Sequence, residues 1–371
     1  MKIGITGQNG FVGRHLYNTV GLLDTEFERI EFDKKFFESD AELDRFVVQC
    51  DVIVHLAAMN RHESEQVIYE TNVGLVNKLV GALERTGSKA HVLISSSTQE
   101  ERDNLYGRSK REGRETLMSW AEKNAGKLTG LLIPNVFGPF GKPFYNSFIA
   151  TFCYQLTHGE TPTIATDGQV SLIYVQELVD FILEQIRKGE HKPICIVEPT
   201  CTKKVSEVLE LLENYRDLYL LKGEIPLLND RFELNLFNTY RSFMDHRTIY
   251  PRKFQLHTDP RGTFVEIIRM GIGGQSSYST TVPEITRGNH FHTRKIERFA
   301  VIQGKARIQL RKMDSDDIMD FYLDGSEPSY VDMPIWYTHN ITNVGEEELI
   351  TMFWINEPYD PADPDTYFLE V

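Results

Sequence analysis

Cysteine is scarce. The 371 residues hold four, Cys50, Cys153, Cys195 and Cys201, far apart and with no Cys-x-x-Cys pair. That leaves neither a disulfide framework nor a thiolate zinc site to read. Positive charge is also in deficit: 40 Lys+Arg against 54 Asp+Glu give a net charge of −14. Such a balance disfavours nucleic acid and anionic membranes as partners, although one local cluster of amides and basic side chains can still hold a phosphate. Long apolar runs are missing. The longest weakly charged stretch, Pro143 to Gly159, contains Asn146, Gln155, Thr157 and His158, and is too short and polar to span a bilayer. The opening Met1-Lys2-Ile3-Gly4-Ile5 reads as a strand rather than a secretory leader. A soluble cytoplasmic protein is the expectation.

What is present is ample core material: 41% of residues are apolar and 25% charged. At about 150 residues per domain the length allows two to three domains. Residues 1 to about 240 alternate apolar runs with helical patterns. The runs are Ile3–Thr6, Val52–Leu56, Val92–Ile94 and Leu131–Ile133. Helical spacing recurs over Val12–Val20 and Asn72–Leu83. This alternation predicts βαβ units and a doubly wound parallel sheet of Rossmann type. After about Arg247 short β-prone runs follow one another: Thr263–Arg269, Ser277–Val282, Arg298–Ile302, Ala306–Leu310, Asp320–Leu323, Tyr330–Met333 and Leu349–Trp354. They predict a β-sandwich or barrel. The boundary is placed near Phe243–Tyr250, giving domains 1–243 and 244–371.

The first strand leads into Thr6-Gly7-Gln8-Asn9-Gly10-Phe11-Val12-Gly13, a G-x-x-G-x-x-G pattern opening a helix. Gly7 permits a tight turn, Gly10 lets backbone approach a pyrophosphate, and Gly13 lets the helix sit close on the sheet. The helix N-terminus then offers free N–H groups to phosphates. A plain glycine-rich turn is the competing reading, weakened by the order strand, motif, helix. Asp33 lies twenty residues after Gly13 and suits a ribose hydroxyl. Lys34, Lys35 and Arg14 suit a 2′-phosphate, so spacing alone does not separate NAD from NADP. Farther on, Tyr106 and Lys110 are four apart, one face of a helix. An ammonium beside a phenol lowers its pKa and makes it a usable proton donor or acceptor. Ser95-Ser96-Ser97 ends a buried-type strand, where a hydroxyl can orient a carbonyl.

These pieces, with His55-Leu56-Ala57-Ala58, Thr71-Asn72-Val73-Gly74, Pro134-Asn135-Val136-Phe137-Gly138-Pro139 and Ile173-Tyr174-Val175, resemble the extended short-chain dehydrogenases/reductases acting on nucleotide sugars. The resemblance implies that Gly7 to Arg14, Asp33, Lys34, Leu56, Ala57, Ala58 and Asn72 surround the cofactor. It implies that Tyr106 is the general acid and that Lys110 holds the ribose and tunes Tyr106. Ser97 polarises the carbonyl, with Ser96 the alternative one register away. Asn135 and the segment Phe144 to Ile149, including Asn146, face the sugar nucleotide. The arginine usual before the Asn-Val-Tyr-Gly-Pro segment is missing; Ile133 and Pro134 stand there.

Downstream, His290-Phe291-His292 is followed by Glu297, Gly304 and His339. Residues i and i+2 of a strand share a side. Three imidazoles and a carboxylate are a ligand set for zinc or another divalent metal. The spacing resembles a cupin, except that Glu284 and Trp336 occupy glycine positions of the two cupin motifs. Asp259-Pro260-Arg261-Gly262-Thr263-Phe264-Val265-Glu266 and Arg287-Gly288-Asn289-His290-Phe291 further resemble the nucleotide-sugar 4-keto-hexose 3,5-epimerases. There the residue matching His290 is the base, and that matching Arg287 binds substrate. His290 thus has two competing roles, since a metal-bound nitrogen cannot accept a proton.

Joining both modules resembles bifunctional enzymes of capsular polysaccharide synthesis. That resemblance implies NADPH, zinc, a homodimer and a UDP-linked 4-keto-6-deoxy amino sugar as substrate. Two rival readings stand. One is a silent NADP-binding sensor with a structural metal. The other is an NAD-retaining dehydratase or 4-epimerase, whose acidic pair after the serine is matched imperfectly by Gln99 and Glu100-Glu101.

Overall fold

The computed structural model describes residues 1–260 and 262–371. Packing divides them into two compact units, Met1–Thr151 with Ile164–Val205, and Phe152–Thr163 with Ser206–Val371. Sequence texture changes near residue 243, whereas packing places residues 206–243 with the strands that follow. The reason is a buried polar knot. Asp332 accepts hydrogen bonds from Arg298 (2.7 and 3.0 Å) and from the Tyr219 hydroxyl (2.6 Å). Arg241 donates to the Tyr219 oxygen and to the Met333 carbonyl. Helical residues before the boundary are thereby fastened to strands after it.

The first unit contains β1 (Lys2–Thr6), β2 (Glu28–Ile30), β3 (Val52–His55), β4 (His91–Ser97), β5 (Lys127–Ile133), β6 (Asn135–Phe137), β7 (Gln169–Tyr174), β8 (Lys192–Ile196) and β9 (Cys201–Lys204). Six form a parallel sheet in the order β2-β1-β3-β4-β5-β8. A parallel sheet needs both faces covered, which is why its strands read as unbroken apolar runs. Alternation along each strand serves the two faces. Ile3, Ile5, Val52, Val54 and Leu93 join Leu16, Val20, Leu178 and Ile182 in one core. Ile53, Val92, Ile94 and Leu128 join Phe46, Leu79, Leu117 and Trp120 in the other. The helices that matter for the site are α1 (Phe11–Gly21), α2 (Asp40–Gln49), α3 (Glu65–Thr86) and α4 (Leu105–Asn124). A small sheet, β6-β7-β9, accompanies them.

The second unit contains β10 (Arg252–Lys253), β11 (Leu256–Asp259), β12 (Gly262–Val265), β13 (Gln275–Thr281), β14 (Thr286–Phe291), β15 (Glu297–Gln303), β16 (Lys305–Lys312), β17 (Ile318–Asp324), β18 (Ser329–Met333), β19 (Tyr337–Asn343), β20 (Leu349–Ile355) and β21 (Tyr367–Phe368). Two five-stranded antiparallel sheets result, β10-β18-β15-β20-β13 and β17-β16-β19-β14-β21. The run Thr263–Arg269 is a strand only as far as Val265, and each later run falls on a strand, Ser277–Val282 to within one residue. β14 and β19 had no such run, because their residues are mostly polar. Arg261, part of the epimerase-like segment 259–266, lies outside the described residues. Glu284 and Trp336, at positions where glycine was expected, adopt φ of +66° and +61°. The left-handed turns are therefore kept without glycine. Trp336 is buried, with its ring stacked on Phe291, so packing offsets a strain of about 1–2 kcal/mol.

Candidate functional site

The glycine loop is as tight as its spacing predicted. Gly7 has φ +77°, and a β-carbon there would lie 2.8 Å from the Ala57 nitrogen. A β-carbon on Gly13 would lie 2.1 Å from the Gly7 carbonyl oxygen. Gly10 N donates to Gly7 O at 2.9 Å, and Gly10 is the N-cap of α1 with no side-chain cap. The first amides of α1 are therefore left for an external acceptor. Gln8, Phe11 and Val12 are half-buried around this turn, while Asn9 and Arg14 are exposed.

The neighbouring loop, Leu56-Ala57-Ala58, is half-buried beside the cradle. Leu56 N donates to Thr6 O, and the Thr6 hydroxyl bonds the buried His55 ring at 2.8 Å. Asn72 holds the far end: Met59 N donates to its Oδ1 (2.7 Å), and its Nδ2 donates to Met59 O and Ser109 Oγ. Its amide thus shapes the loop after β3 and ties it to α4. Asp33 sits past β2 as the cap of the 3-10 turn 34–38, its carboxylate accepting from Lys35 N at 2.9 Å. Gln8 Oε1 accepts from Phe32 N at 3.1 Å and joins this turn to the glycine loop. Lys34 is exposed there.

Tyr106 and Lys110 share one face of α4, as their spacing required, with the ammonium 5.9 Å from the phenol ring centre. Lys110 donates to the Ser95 carbonyl at 3.1 Å. Burial pushes its ammonium down to about 8, partly opposed by Glu100. Tyr106 differs from expectation: burial, then Tyr145, push its phenol up to about 12. Desolvation outweighs an ammonium already engaged with a carbonyl, so the phenol stays protonated at neutral pH, the state a proton donor needs.

The two candidate serines differ in their partners. Ser96 faces inward and donates to the Glu100 carboxylate. Glu100 is itself paired with Arg114 at 2.8 Å, both groups buried. Ser97, at the carboxyl end of β4, accepts from Gln99 N at 3.1 Å, and its own proton is uncommitted. Gly107 lets α4 approach, since a β-carbon there would lie 2.1 Å from Gln99 O. Asn135 is exposed and donates to Ser171 O at 3.3 Å; Asn146 lies in the segment 144–149. Arg61, which the sequence reading passed over, clamps that segment by donating to the carbonyls of Phe144 (2.6 Å) and Tyr145 (2.9 Å). Only the fold brings a residue 83 positions away into this role.

In the second unit one ligand atom from each of His290, His292, Glu297 and His339 falls within 4.8 Å of the others. His290 and His339 face each other across β14 and β19, and Glu297 opens β15. Glu297 Oε2 lies 3.0 Å from His292 Nε2, 3.3 Å from His339 Nε2 and 4.0 Å from His290 Nε2. Ligands bound tetrahedrally at about 2.0–2.2 Å stand about 3.3–3.6 Å apart, so the spacing fits a metal ion. Tautomers fit as well. Nδ1 of His292 donates to the Asp365 carbonyl, and Nδ1 of His339 to the Tyr337 carbonyl at 3.2 Å. In the neutral rings both Nε2 lone pairs face the carboxylate, and these three buried atoms lack a hydrogen-bond partner. Burial lowers the His292 pKa but Glu297 more than offsets it, so the facing acceptors take up a cation, either a metal ion or a proton. His290 is the most exposed of the four; burial and the other two imidazoles push it down to about 4, so it is neutral near pH 7. Arg287, on β14, is exposed, with Nη1 donating to Thr280 O.

Comparison with known proteins places the two regions of the chain in two families. Residues 3–197 match the NAD dependent epimerase/dehydratase family, and the chain belongs to that family. Residues 257–367 match the polysaccharide biosynthesis C-terminal domain. Among individual proteins, UDP-2-acetamido-2,6-beta-L-arabino-hexul-4-ose reductase of Pseudomonas aeruginosa is 32% identical, across 100% of this chain and 99% of its own. The crystal structure of the capsular polysaccharide assembling protein CapF from Staphylococcus aureus covers both chains completely, with a TM-score of 0.65 and 35% identity. A UDP-glucose 4-epimerase from Thermotoga maritima shares a fold over 58% of this chain and 83% of its own (TM-score 0.53, 20% identity). Among the described residues no helix is long and apolar enough to cross a membrane.

Proposed function

We propose that the chain is a bifunctional nucleotide-sugar enzyme of capsular polysaccharide synthesis. The C-terminal, cupin-like module inverts C3 of a UDP-2-acetamido-2,6-dideoxy-4-hexulose. The N-terminal module then reduces the C4 ketone with NADPH, giving UDP-N-acetyl-L-talosamine, a 6-deoxy sugar that precedes UDP-N-acetyl-L-fucosamine. Full-length similarity to a UDP-hexulose reductase and to CapF supports this reading. NADPH over NADH, zinc as the metal and a homodimer belong to the same proposal, as do the roles given to individual residues.

The observation that carries reduction is the division of labour around Ser97. Its hydroxyl proton is free for a ketone oxygen, Tyr106 is protonated, and Lys110 is in place. Of the two acids a dehydratase would draw on, Glu100 is committed, buried against Arg114 and Ser96, which leaves only the exposed Glu101. A bound nicotinamide supplies the hydride to C4. Ser97 orients the carbonyl, and Tyr106 gives its proton to the oxygen that becomes the new hydroxyl. Lys110 supports the phenolate left behind.

The two steps share the ketone. The C3 proton is acidic only while C4 is a carbonyl, because the carbanion delocalises onto that oxygen. Reduction therefore has to come second. His292, Glu297, His339 and His290 would hold a divalent ion, which would supply Lewis-acid polarisation of a ketone. If His290 is left out of the ligand set, its neutral imidazole is the candidate base, with Arg287 nearby for the anionic substrate. Incubating the keto sugar in D2O without NADPH is expected to place deuterium at C3; absence of exchange overturns the epimerase half. Stoichiometric NADPH consumption tests the reductase half, and its absence favours a cofactor-retaining epimerase or a silent sensor.

A further inference from the structure

The polar network around His292 extends to a residue near the end of the chain that no motif flagged. We infer that Asp365 is a positioning residue for the metal centre, acting through His292 and the turn that follows it. This rests on the reading of His290, His292, Glu297 and His339 as metal ligands.

Asp365 is 2% exposed and acts with both ends. Its main-chain carbonyl accepts the Nδ1 proton of His292. That bond fixes the ring's rotation and leaves the lone pair on Nε2, aimed at Glu297. Its carboxylate accepts from three successive main-chain amides, Thr293 N, Arg294 N and Lys295 N, each at 3.0 Å, and from the Thr293 hydroxyl at 2.6 Å. Three consecutive N–H groups converging on one carboxylate form an anion nest. The nest closes the turn between the two sequence-adjacent ligands, His292 and Glu297. Backbone geometry suits the double role: φ of Asp365 is +40°, a left-handed conformation that aspartate tolerates better than most residues.

The flanking contacts hold Asp365 in place. Lys295 Nζ donates to Pro364 O at 2.8 Å, and Arg294 donates to Asp363 and Glu357. Two residues on, β21 pairs with β14, setting Phe368 opposite His290. His292 is held from its other side as well, because its carbonyl accepts Trp336 N at 2.8 Å. The chemistry is that of an outer shell, in which the group behind a ligand sets its tautomer and angle. Removing such a group commonly weakens metal binding by about 10–100-fold.

The test uses the full chain stripped with chelator and titrated with Co2+, whose visible bands report ligand geometry. The parent is expected to bind one Co2+ per chain. Asp365→Asn, which keeps the shape but loses the charge that the three amides grip, is expected to bind about 10–100-fold more weakly and with shifted bands. Asp365→Ala is expected to bind more weakly still. Far-UV circular dichroism identifies the folded fraction, so a variant that unfolds is not mistaken for one that fails to bind. If Asp365→Asn melts lower but its folded form binds Co2+ with unchanged affinity and spectrum, the residue is structural only and the inference is overturned. If the parent binds no Co2+, the metal reading itself falls.

Discussion

Gly13 offers the sharpest test of the cofactor cradle. A β-carbon there would sit 2.1 Å from the Gly7 carbonyl oxygen and 2.9 Å from Gln8 Cα. Ordinary contact begins near 3.4 Å, so the Gly13→Ala methyl is short by more than 1 Å against backbone. Backbone cannot rotate away as a side chain can; either α1 lifts from β1 or the glycine turn opens. Overpacking of this kind costs about 1–3 kcal/mol. In the free protein a shift of the helix N-terminus relieves the strain. Binding a pyrophosphate on those amides restores it, so the strain returns as lost affinity. At about 1.4 kcal/mol per tenfold, the expected loss is roughly 5- to 150-fold in Kd for the dinucleotide. Gly168→Ala is the internal control. Nothing lies within 4 Å of a β-carbon there, so its affinity for the dinucleotide is expected to stay within about threefold of the parent. Titration of NADPH fluorescence on both variants measures this directly, with a thermal melt to check folding. Gly13→Ala binding within about threefold of the parent, or Gly168→Ala proving as damaging, refutes the reasoning.

Tyr106→Phe is expected to lower turnover by about 10²- to 10⁴-fold while leaving NADPH affinity within about threefold, measured by NADPH oxidation and by fluorescence titration. Arg114→Leu strands the Glu100 carboxylate in the interior and is expected to cost about 3–5 kcal/mol in urea unfolding, with Arg114→Lys costing less. The kcat/KM profile for ketone reduction is expected to fall as pH rises through about 8, where Lys110 loses its proton. Stability moves the other way. The Lys110 pKa is lowered from 10.5 to about 8, so between those values the unfolded chain holds more protons, and stability rises with pH. A flat rate profile from pH 7 to 10 contradicts the placement of Lys110.

Much of the protein was legible without coordinates, for identifiable reasons. Buried parallel strands must be apolar on both faces, so β1, β3, β4 and β5 announced themselves as runs. Contacts that are local in sequence were equally readable: the glycine turn into α1, Tyr106 and Lys110 one helical turn apart, and His290 with His292 two apart. β14 and β19 escaped because strand preference follows burial and packing, and both strands are mostly polar: β14 buries only Phe291, and β19 buries His339 among threonines and asparagines. The domain boundary read from texture missed that Tyr219 and Arg241 would be bound by Asp332 and Met333 far downstream.

The sequence by itself determined the two fold classes and nominated most of the candidate residues at the two proposed centres, since periodicity and short spacings carry that information. Tertiary structure alone decided three further matters. It committed Ser96 to Glu100 and left Ser97 free. It turned the phenol of Tyr106 upward in pKa, because burial is a property of the whole surround and not of the neighbour four residues away. It also brought Arg61 to the segment 144–145 and Asp365 to His292. Each of these depends on groups distant in the chain meeting in a low-dielectric interior, where one hydrogen bond or one charge fixes what a residue can do.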